Sequence, residues 1–444
     1  MSRKQTRKEF IKTAATGVAG LAITSVLPIS SFANVLGANE TLNVAVMGTN
    51  SRGGYLAIKF AEAENTKVTY ICDVDQRAID KSILSIYEKY GYKPKGEVDI
   101  RKVLENKDVD IFVIAAPDHW HAPASIMALQ AGKHVYVEKP CSHNPREGEL
   151  LVEAQKKYGK LVQMGNQQRS SYESIEAVKL IQEGIIGNAY YGKAWYANTR
   201  GSIGIGEPAT VPEWLNWDLF QGPAPHQEFK DNIVHYNWHW FWNWGTGEIL
   251  NNGTHEVDLC RWALGVDYPE RVSSNGGRYC YKDDWEFYDT QIASYDFAGG
   301  KSINWEGRSC NGNLINGRGR GSAIYGTEGT AIIDRNGYEF YDKSNKLIKE
   351  AKAGTVNATM NIVGGGDLEK LHIGNFLDGI RLGKKLNSPI TESNKSVTIC
   401  QLGNISQKMG RSLETDTKTA RILNDREAMK MWGRKYEKGW EVKV

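Results

Sequence analysis

After the mildly apolar run Ala14–Ile29, no stretch of the 444 residues is long and apolar enough to span a bilayer. There is no cysteine before Cys72, which excludes a lipid-modified N-terminal cysteine as an anchor. The six cysteines, at 72, 141, 260, 280, 310 and 400, include no close pair and no metal-type spacing, so no metal site is expected. They read as free and largely buried thiols rather than the disulfides an exported protein could also form, because Cys72 lies in a strand-like run and Cys260 and Cys400 in helix-like ones. Internal repeats and low-complexity tracts are absent as well. So is net charge, once the N-terminus is set aside. Removing residues 1–33 takes out Arg3, Lys4, Arg7, Lys8 and Lys12 against the single acid Glu9, which turns 55 basic and 52 acidic residues into 50 and 51. That balance gives no support for binding nucleic acid or an anionic membrane.

Those first residues have the layout of an export signal. Thr6-Arg7-Lys8-Glu9-Phe10-Ile11-Lys12 precedes the apolar run, and Ser31-Phe32-Ala33 is a small-x-Ala cleavage signal. The arrangement resembles a twin-arginine signal with lysine as the second basic residue. The expectation is an exported, periplasmic protein with a signal at 1–33 and a linker at 34–40. A hydrophobic content of 41% over this length is enough for two domains, each with its own core.

The first domain, 41–165, reads as a doubly wound α/β unit. Leu42–Met47 is strand-like and is followed by Gly48-Thr49-Asn50-Ser51-Arg52-Gly53, then by a helical stretch to about Glu62. The spacing matches the dinucleotide fingerprint G-x-G-x-x-G, except that Asn50 replaces the middle glycine. A second strand from Lys67 to Cys72 ends in Asp73, twenty residues after Gly53, where an acid accepts hydrogen bonds from the adenosine ribose hydroxyls. This favours NAD over NADP, with the nearby Arg77 able to soften the preference. Asp110–Ala116 and His134–Glu138 read as further strands, with a helix over Pro123–Ala131 between them. Strand carboxyl ends face the ligand crevice of such a sheet, so Lys139, before Pro140, would be delivered there; most lysines are surface charges, and in this position the site and surface readings balance. Asn144 and Pro145 fit the cap and first position of a helix reaching about Tyr158, and Lys160–Gly165 is a sixth strand.

Beyond that point, in 166–444, the strand-like segments become long, wet and aromatic: Ala189–Ala197, Glu286–Phe297, Lys301–Gly307 and Ser322–Asp334. They describe a large, open, mainly antiparallel sheet with one solvated or ligand-facing side. Leu368–Leu382 and Asn394–Met409 read as helices covering one face of it. In Asn237–Trp244 four tryptophans alternate at a period of two. If the segment is extended, all four indoles share a face, which suits a sugar wall as well as a core, with Trp240 a candidate contact. Asn251 and His255, four apart, share one face if that part is helical. His255 is a candidate general base, although a lone histidine is more often a hydrogen-bonded core residue.

Taken together the residues resemble the Gfo/Idh/MocA family, relatives of glucose-fructose oxidoreductase and inositol dehydrogenase. The resemblance is carried by Gly48–Gly53, Ile71–Asp75, Pro117-Asp118-His119-Trp120-His121, Glu138-Lys139-Pro140, Gly253-Thr254-His255 with Asp258-Leu259, Gly326–Thr330 and Asn375–Asp378. It implies a Rossmann domain for NAD or NADP, with Gly48, Asn50, Ser51, Arg52, Gly53, Asp73, Pro117, His119, His121 and Glu138 toward the cofactor. It also implies a second α/β domain whose open sheet carries the substrate wall and an oligomer interface. Lys139 and His255 match the family's catalytic lysine and histidine, and Asn251 stands where many members have aspartate. Asn166, Gln168, Arg169, Trp240, Asn251 and Asp258 are the expected substrate-side residues. The implied reaction is hydride transfer between a sugar hydroxyl carbon and the nicotinamide, Lys139 steadying the hydroxyl oxygen and His255 taking its proton. An exported enzyme would have to keep and regenerate its cofactor. Redox-assisted glycoside cleavage, by transient oxidation and elimination, and sugar binding without turnover are the other two readings; the first needs no paired carboxylates.

Overall fold

A computed structural model describes residues 41–353 and 366–444; the expected export signal and linker lie outside them. Among the described residues no helix is long and apolar enough to cross a membrane.

The first sheet is built from β1 (Leu42–Met47), α1 (Arg52–Glu62), β2 (Thr66–Cys72), α2 (Gln76–Tyr90), β3 (Lys95–Glu97), α3 (Ile100–Leu104), β4 (Ile111–Ile114), α4 (Asp118–Gln130), β5 (His134–Val137), α5 (Pro145–Tyr158) and β6 (Val162–Met164). Its order is β3-β2-β1-β4-β5-β6, and every pair is parallel. Chain direction across the sheet reverses between β1 and β4, the point where a doubly wound sheet opens a crevice beyond its strand ends. The strands read as continuous apolar runs because both faces are covered. Asn144 caps α5 as expected, its side chain accepting from the Glu147 amide at 3.1 Å, with Pro145 at the first helical position. The helix placed at Pro123–Ala131 instead starts at Asp118 and keeps Pro123 inside it. Pro117 is the residue before the helix.

The second half continues with α6 (Tyr172–Gln182), β7 (Ala189–Ala197), α7 (Trp217–Gln221), α8 (Gly247–Asn251), α9 (Gly253–Leu264), β8 (Arg271–Gly277), β9 (Thr290–Phe297), β10 (Lys301–Arg308), β11 (Arg320–Gly326), β12 (Gly329–Asp334), β13 (Gly337–Asp342), β14 (Leu347–Lys352), α10 (Gly366–Leu382), α11 (Ile390–Met409) and β15 (Leu413–Glu414). Nine strands form one sheet in the order β14-β13-β12-β11-β7-β10-β9-β8-β15, antiparallel throughout except for β7 with β10. Ser322–Asp334, read as one strand, is the β11–β12 hairpin, and Glu286–Asp289 lies in the connection before β9.

One helix expectation is corrected. Leu368–Leu382 does not cover the second sheet: Ile373, Phe376, Leu377 and Ile380 of α10 pack with Val44, Phe60 and Ile111 on the first sheet's outer face. Its apolar stripe fits the surface left open beside α1. By contrast α9 and α11 share one core with both sheets, joining Cys260, Leu264, Val397 and Leu402 to Ala45, Ile114 and Trp305. The cleft between the sheets therefore sits on a continuous core.

Candidate active site

The cleft has a volume of about 480 Å³ and runs from the carboxyl ends of β1, β2, β4 and β5 to the α8–α9 break, β7, β11 and β12. Its floor is the β1–α1 turn. Gly48 has φ +79°, and a Cβ there would lie 2.4 Å from the Ala116 nitrogen; one on Gly53 would lie 2.0 Å from the Gly48 oxygen. Only glycines let this turn close against β4. Asn50, by contrast, takes no left-handed backbone and is exposed at the rim, so a side chain is accommodated where the fingerprint has its middle glycine. Gly48, Asn50, Ser51, Arg52, Asp73, Pro117, His121 and Glu138 all line the cleft.

Asp73 is buried at the end of β2 and accepts from the amides of Thr49 and Asp75. Burial pushes its carboxyl above the usual range, and the two amides oppose that rise. Arg77 already has partners of its own. It pairs with Asp75 at 2.8 Å and stacks on Trp214 at 3.3 Å, while His235 Nε2 lies 2.7 Å from the same carboxylate. Arg52 is bracketed by Glu138 at 2.8 Å and Glu369 at 2.6 Å; burial opposes its charge, but the carboxylates win and raise its pKa. The cradle fits a dinucleotide with free ribose hydroxyls: close backbone approach at a helix start, and a buried acid that, among the described residues, pairs with no lysine or arginine.

Lys139 follows β5 on a cis Lys139–Pro140 bond. His121 braces this turn, its ring nitrogens 2.7 and 2.5 Å from the carbonyl oxygens of Ala116 and Pro140. Lys139 Nζ donates to the Asn251 carbonyl at 2.6 Å and to Asn251 Oδ1 at 3.0 Å. The amide orientation is fixed because Asn251 Nδ2 donates to Glu248, itself paired with Arg200 at 2.7 Å. Burial lowers Lys139 from 10.5 to about 8, with Arg320 adding to the fall against Glu138, Asp118 and Glu248. The ammonium is thus poised near neutral pH, facing amide oxygens where a carboxylate would have locked its charge.

His255 enters from the first turn of α9, across a break at Asn252, so it and Asn251 belong to two short helices that both reach the cleft. A chain of contacts sets its tautomer. Arg169 forks onto Asp258 at 2.6 and 2.8 Å, Asp258 accepts from Asn166 Nδ2 at 2.7 Å, and Asn166 Oδ1 lies 2.8 Å from His255 Nδ1. With its oxygen turned to the ring, Asn166 accepts from Nδ1–H and leaves the Nε2 lone pair for the cleft. Burial, helped by Arg335, Arg320 and Lys139, keeps the ring well below its ordinary pKa and therefore neutral.

Of the expected substrate-side residues, Gln168 and Asn251 line the cleft, while Asn166, Arg169 and Asp258 lie behind it and hold His255. His119 does not reach it: the ring is buried between the Phe220 and Trp244 carbonyls, and burial lowers it to about 3. Trp240 is corrected too. Asn237–Trp240 is a 3₁₀ turn followed by further tight turns, so the four indoles do not share a face. Trp240 is 1% exposed and stacks on Trp285 at 3.8 Å; Trp242 packs on Phe287 and Trp244 on Trp217. Trp240 and Trp244 went to the core with Trp242 half-buried against it, and of the four only Trp238 lines the cleft. Sequence reasoning missed Arg200, Tyr236, His239, Arg320, Arg335 and Glu369. Except for Tyr236 and His239, beside the tryptophans, no local motif marks them.

Residues 42–166 match a family model described as the oxidoreductase family, NAD-binding Rossmann fold, and residues 175–332 match the GFO/IDH/MocA C-terminal domain. Among curated proteins, a "Glycosyl hydrolase family 109 protein" of Shewanella pealeana is 27% identical over 211 residues, 44% of this chain and 46% of that protein. An "Alpha-N-acetylgalactosaminidase" of Shewanella oneidensis is 27% identical over 208 residues, 43% and 45% of the two chains. The matches thus span under half the length of these relatives. A levoglucosan dehydrogenase solved with NADH and levoglucosan is similar in fold, with a TM-score of 0.65 at 18% identity over 84% of this chain and 99% of that one. An aldose-aldose oxidoreductase from Caulobacter crescentus gives 0.62 at 18% identity over 84% and 100%.

Proposed function

The chain belongs to the Gfo/Idh/MocA oxidoreductase family with an NAD-binding Rossmann domain, and from that premise we propose that it oxidises a ring carbon of a sugar or glycoside with a retained NAD. The observation that carries this reading is Lys139: a lysine brought to about 8 by burial, at the strand-end crevice, in the same cleft as a neutral histidine. Bound NAD supplies the hydride acceptor. The β1–α1 turn, Asp73 and Pro117 would hold it, and among the described residues the nearby Arg77 is paired with Asp75 and not with Asp73. Lys139 hydrogen-bonds the substrate hydroxyl oxygen and stabilises charge there as the proton leaves. His255 Nε2 accepts that proton, with Asn166 holding Nδ1–H. Arg200 and Arg320 line the substrate side, each already paired with a carboxylate, Glu248 and Glu256. They present donors to hydroxyl groups without excess charge.

A second reading is net glycoside cleavage by the same residues, favoured by the glycosidase names of the curated relatives. The proton His255 removes would then be returned within the same turnover. Export by the N-terminal signal and assembly through the open face of the second sheet, where Tyr191 stacks on Tyr325 and Lys193 pairs with Glu306, belong to the same proposal. Heat-denaturing extensively dialysed protein and assaying the supernatant for NAD(H) and NADP(H) tests the retained cofactor. Near-stoichiometric NAD(H) is expected. Protein that comes out empty and needs millimolar added NAD would overturn it.

A further inference from the structure

Cys280 and Cys310 are thirty residues apart in sequence, yet their sulfurs and a carboxylate oxygen of Asp289 all lie within 4.8 Å of one another. Cys280 is exposed in the β8–β9 connection and Cys310 half-buried just after β10. The other four cysteines are buried and separate from them. We propose that Cys280 and Cys310 are a redox-active pair that closes to a disulfide in an oxidising environment and fastens the β8–β9 connection to the wall of the cleft.

Asp289 is the bracket that holds the two together. Its Oδ2 accepts from the Cys280 amide at 3.0 Å and the Tyr279 amide at 2.8 Å, and its backbone carbonyl accepts from the Ser309 amide, next to Cys310, at 2.7 Å. Both cysteine backbones are therefore fixed before any bond forms, which lowers the ordering cost of closure. A metal is the poorer fit. Arg278 and Thr290 also occupy the Asp289 carboxylate, at 3.0 and 2.8 Å, and two thiols alone do not complete a tetrahedral site.

The chemistry needs an outside disulfide as oxidant. The Cys280 thiolate, being the exposed one, attacks a sulfur of a small disulfide, forms a mixed disulfide and expels one thiolate. Cys310 loses its proton to solvent and attacks the Cys280 sulfur, expelling the second. Two protein thiols are oxidised, the outside disulfide is reduced to two thiols, and the two protons follow. Burial, then Asp289 and Cys280, hold the Cys310 thiol up at about 11, so it acts as the resolving partner.

The bond would bear on the site. Thr199 bridges Cys310, the Arg200 amide donates to the Ser309 carbonyl at 2.8 Å, and Ser309 Oγ donates to Glu248 at 3.0 Å. Glu248 is the carboxylate that orients Asn251 against Lys139. On the other strand of the tie, Trp285 and Phe287 of the β8–β9 connection pack on Trp240 and Trp242.

The test is to equilibrate purified protein in glutathione buffers of increasing oxidised fraction, alkylate free thiols and map peptides without reduction. The expected result is one cross-linked species joining the peptides of Cys280 and Cys310, lighter by two hydrogens, reversed by dithiothreitol and lost in Cys280→Ser and in Cys310→Ser. Its formation should slow proteolysis between Gly277 and Asp289 several-fold. Finding both thiols alkylated at every ratio, or Cys280 only as its glutathione adduct, would overturn the proposal. So would one Zn²⁺ bound per chain to the reduced protein with both thiols protected from alkylation.

Discussion

The two walls of the cleft are built on different principles. The Rossmann wall delivers its groups from turns at strand ends: Gly48 after β1, Asp73 after β2, Pro117 after β4 and Lys139 after β5. Each arrives with its own local signature of strand, tight turn and helix. The opposite wall delivers Tyr196, Arg200, His255, Arg320 and Arg335 from strands and helices far apart in sequence. Those side chains meet only because β7 sits between β11 and β10 and because α9 packs beneath them. A parallel sheet concentrates chemistry at one edge, whereas an antiparallel sheet spreads it over a face. The first wall is a cofactor cradle that local sequence specifies. The second, which we propose as the substrate wall, is specified by tertiary packing.

Substitutions on the two walls should separate these roles. The largest effect is expected on the first wall: Lys139→Met should lower kcat by roughly a hundredfold or more with NAD still bound, as turnover and released dinucleotide will report. A loss under about tenfold would return Lys139 to a structural part. Next is Asn166→Ala, which frees the His255 ring from its tautomer-setting contact. It should cost roughly tenfold or more in kcat at nearly unchanged KM; a rise in KM alone would make Asn166 a substrate contact. Asn251→Asp is subtler. Activity should fall as pH rises through about 8, because the ammonium of Lys139 is lost there. A carboxylate in place of Oδ1, 3.0 Å away, favours the charged form, so that alkaline limb should move up by roughly one pH unit or more. A pH–rate profile that does not move would remove Lys139 from the titration. The smallest effect on activity is expected from Trp240→Phe. Its indole packs on Trp285, so the change should cost about 1–3 kcal/mol of stability in denaturant unfolding while KM stays within roughly twofold.

The same contrast explains what the sequence made legible. Glycine spacing, the acid after β2, the lysine before Pro140 and the Asn144 cap all depend on neighbours within a few residues, and the structure places the first three at strand ends and the last at the start of α5, as expected. Trp240 depended on backbone conformation. A period of two reads as one face only in an extended chain, and here the rings curl into the core because burying large aromatics outweighs keeping the segment straight. Helix α10 was recognisable as a helix, yet nothing in its own stripe says which of two sheets it will cover. His255 was visible as a residue type in a plausible place. Its support through Asn166, Asp258 and Arg169 spans about ninety residues of sequence, beyond any local pattern.

The most direct test of the whole account is a single-turnover absorbance measurement of reduced nicotinamide, with no cofactor added, after mixing the dialysed protein with a panel of sugars and aryl glycosides. The account predicts a burst of no more than one equivalent per chain with at least one carbohydrate, absent in Lys139→Met. No burst with any of them, from protein that carries oxidised NAD, would contradict it.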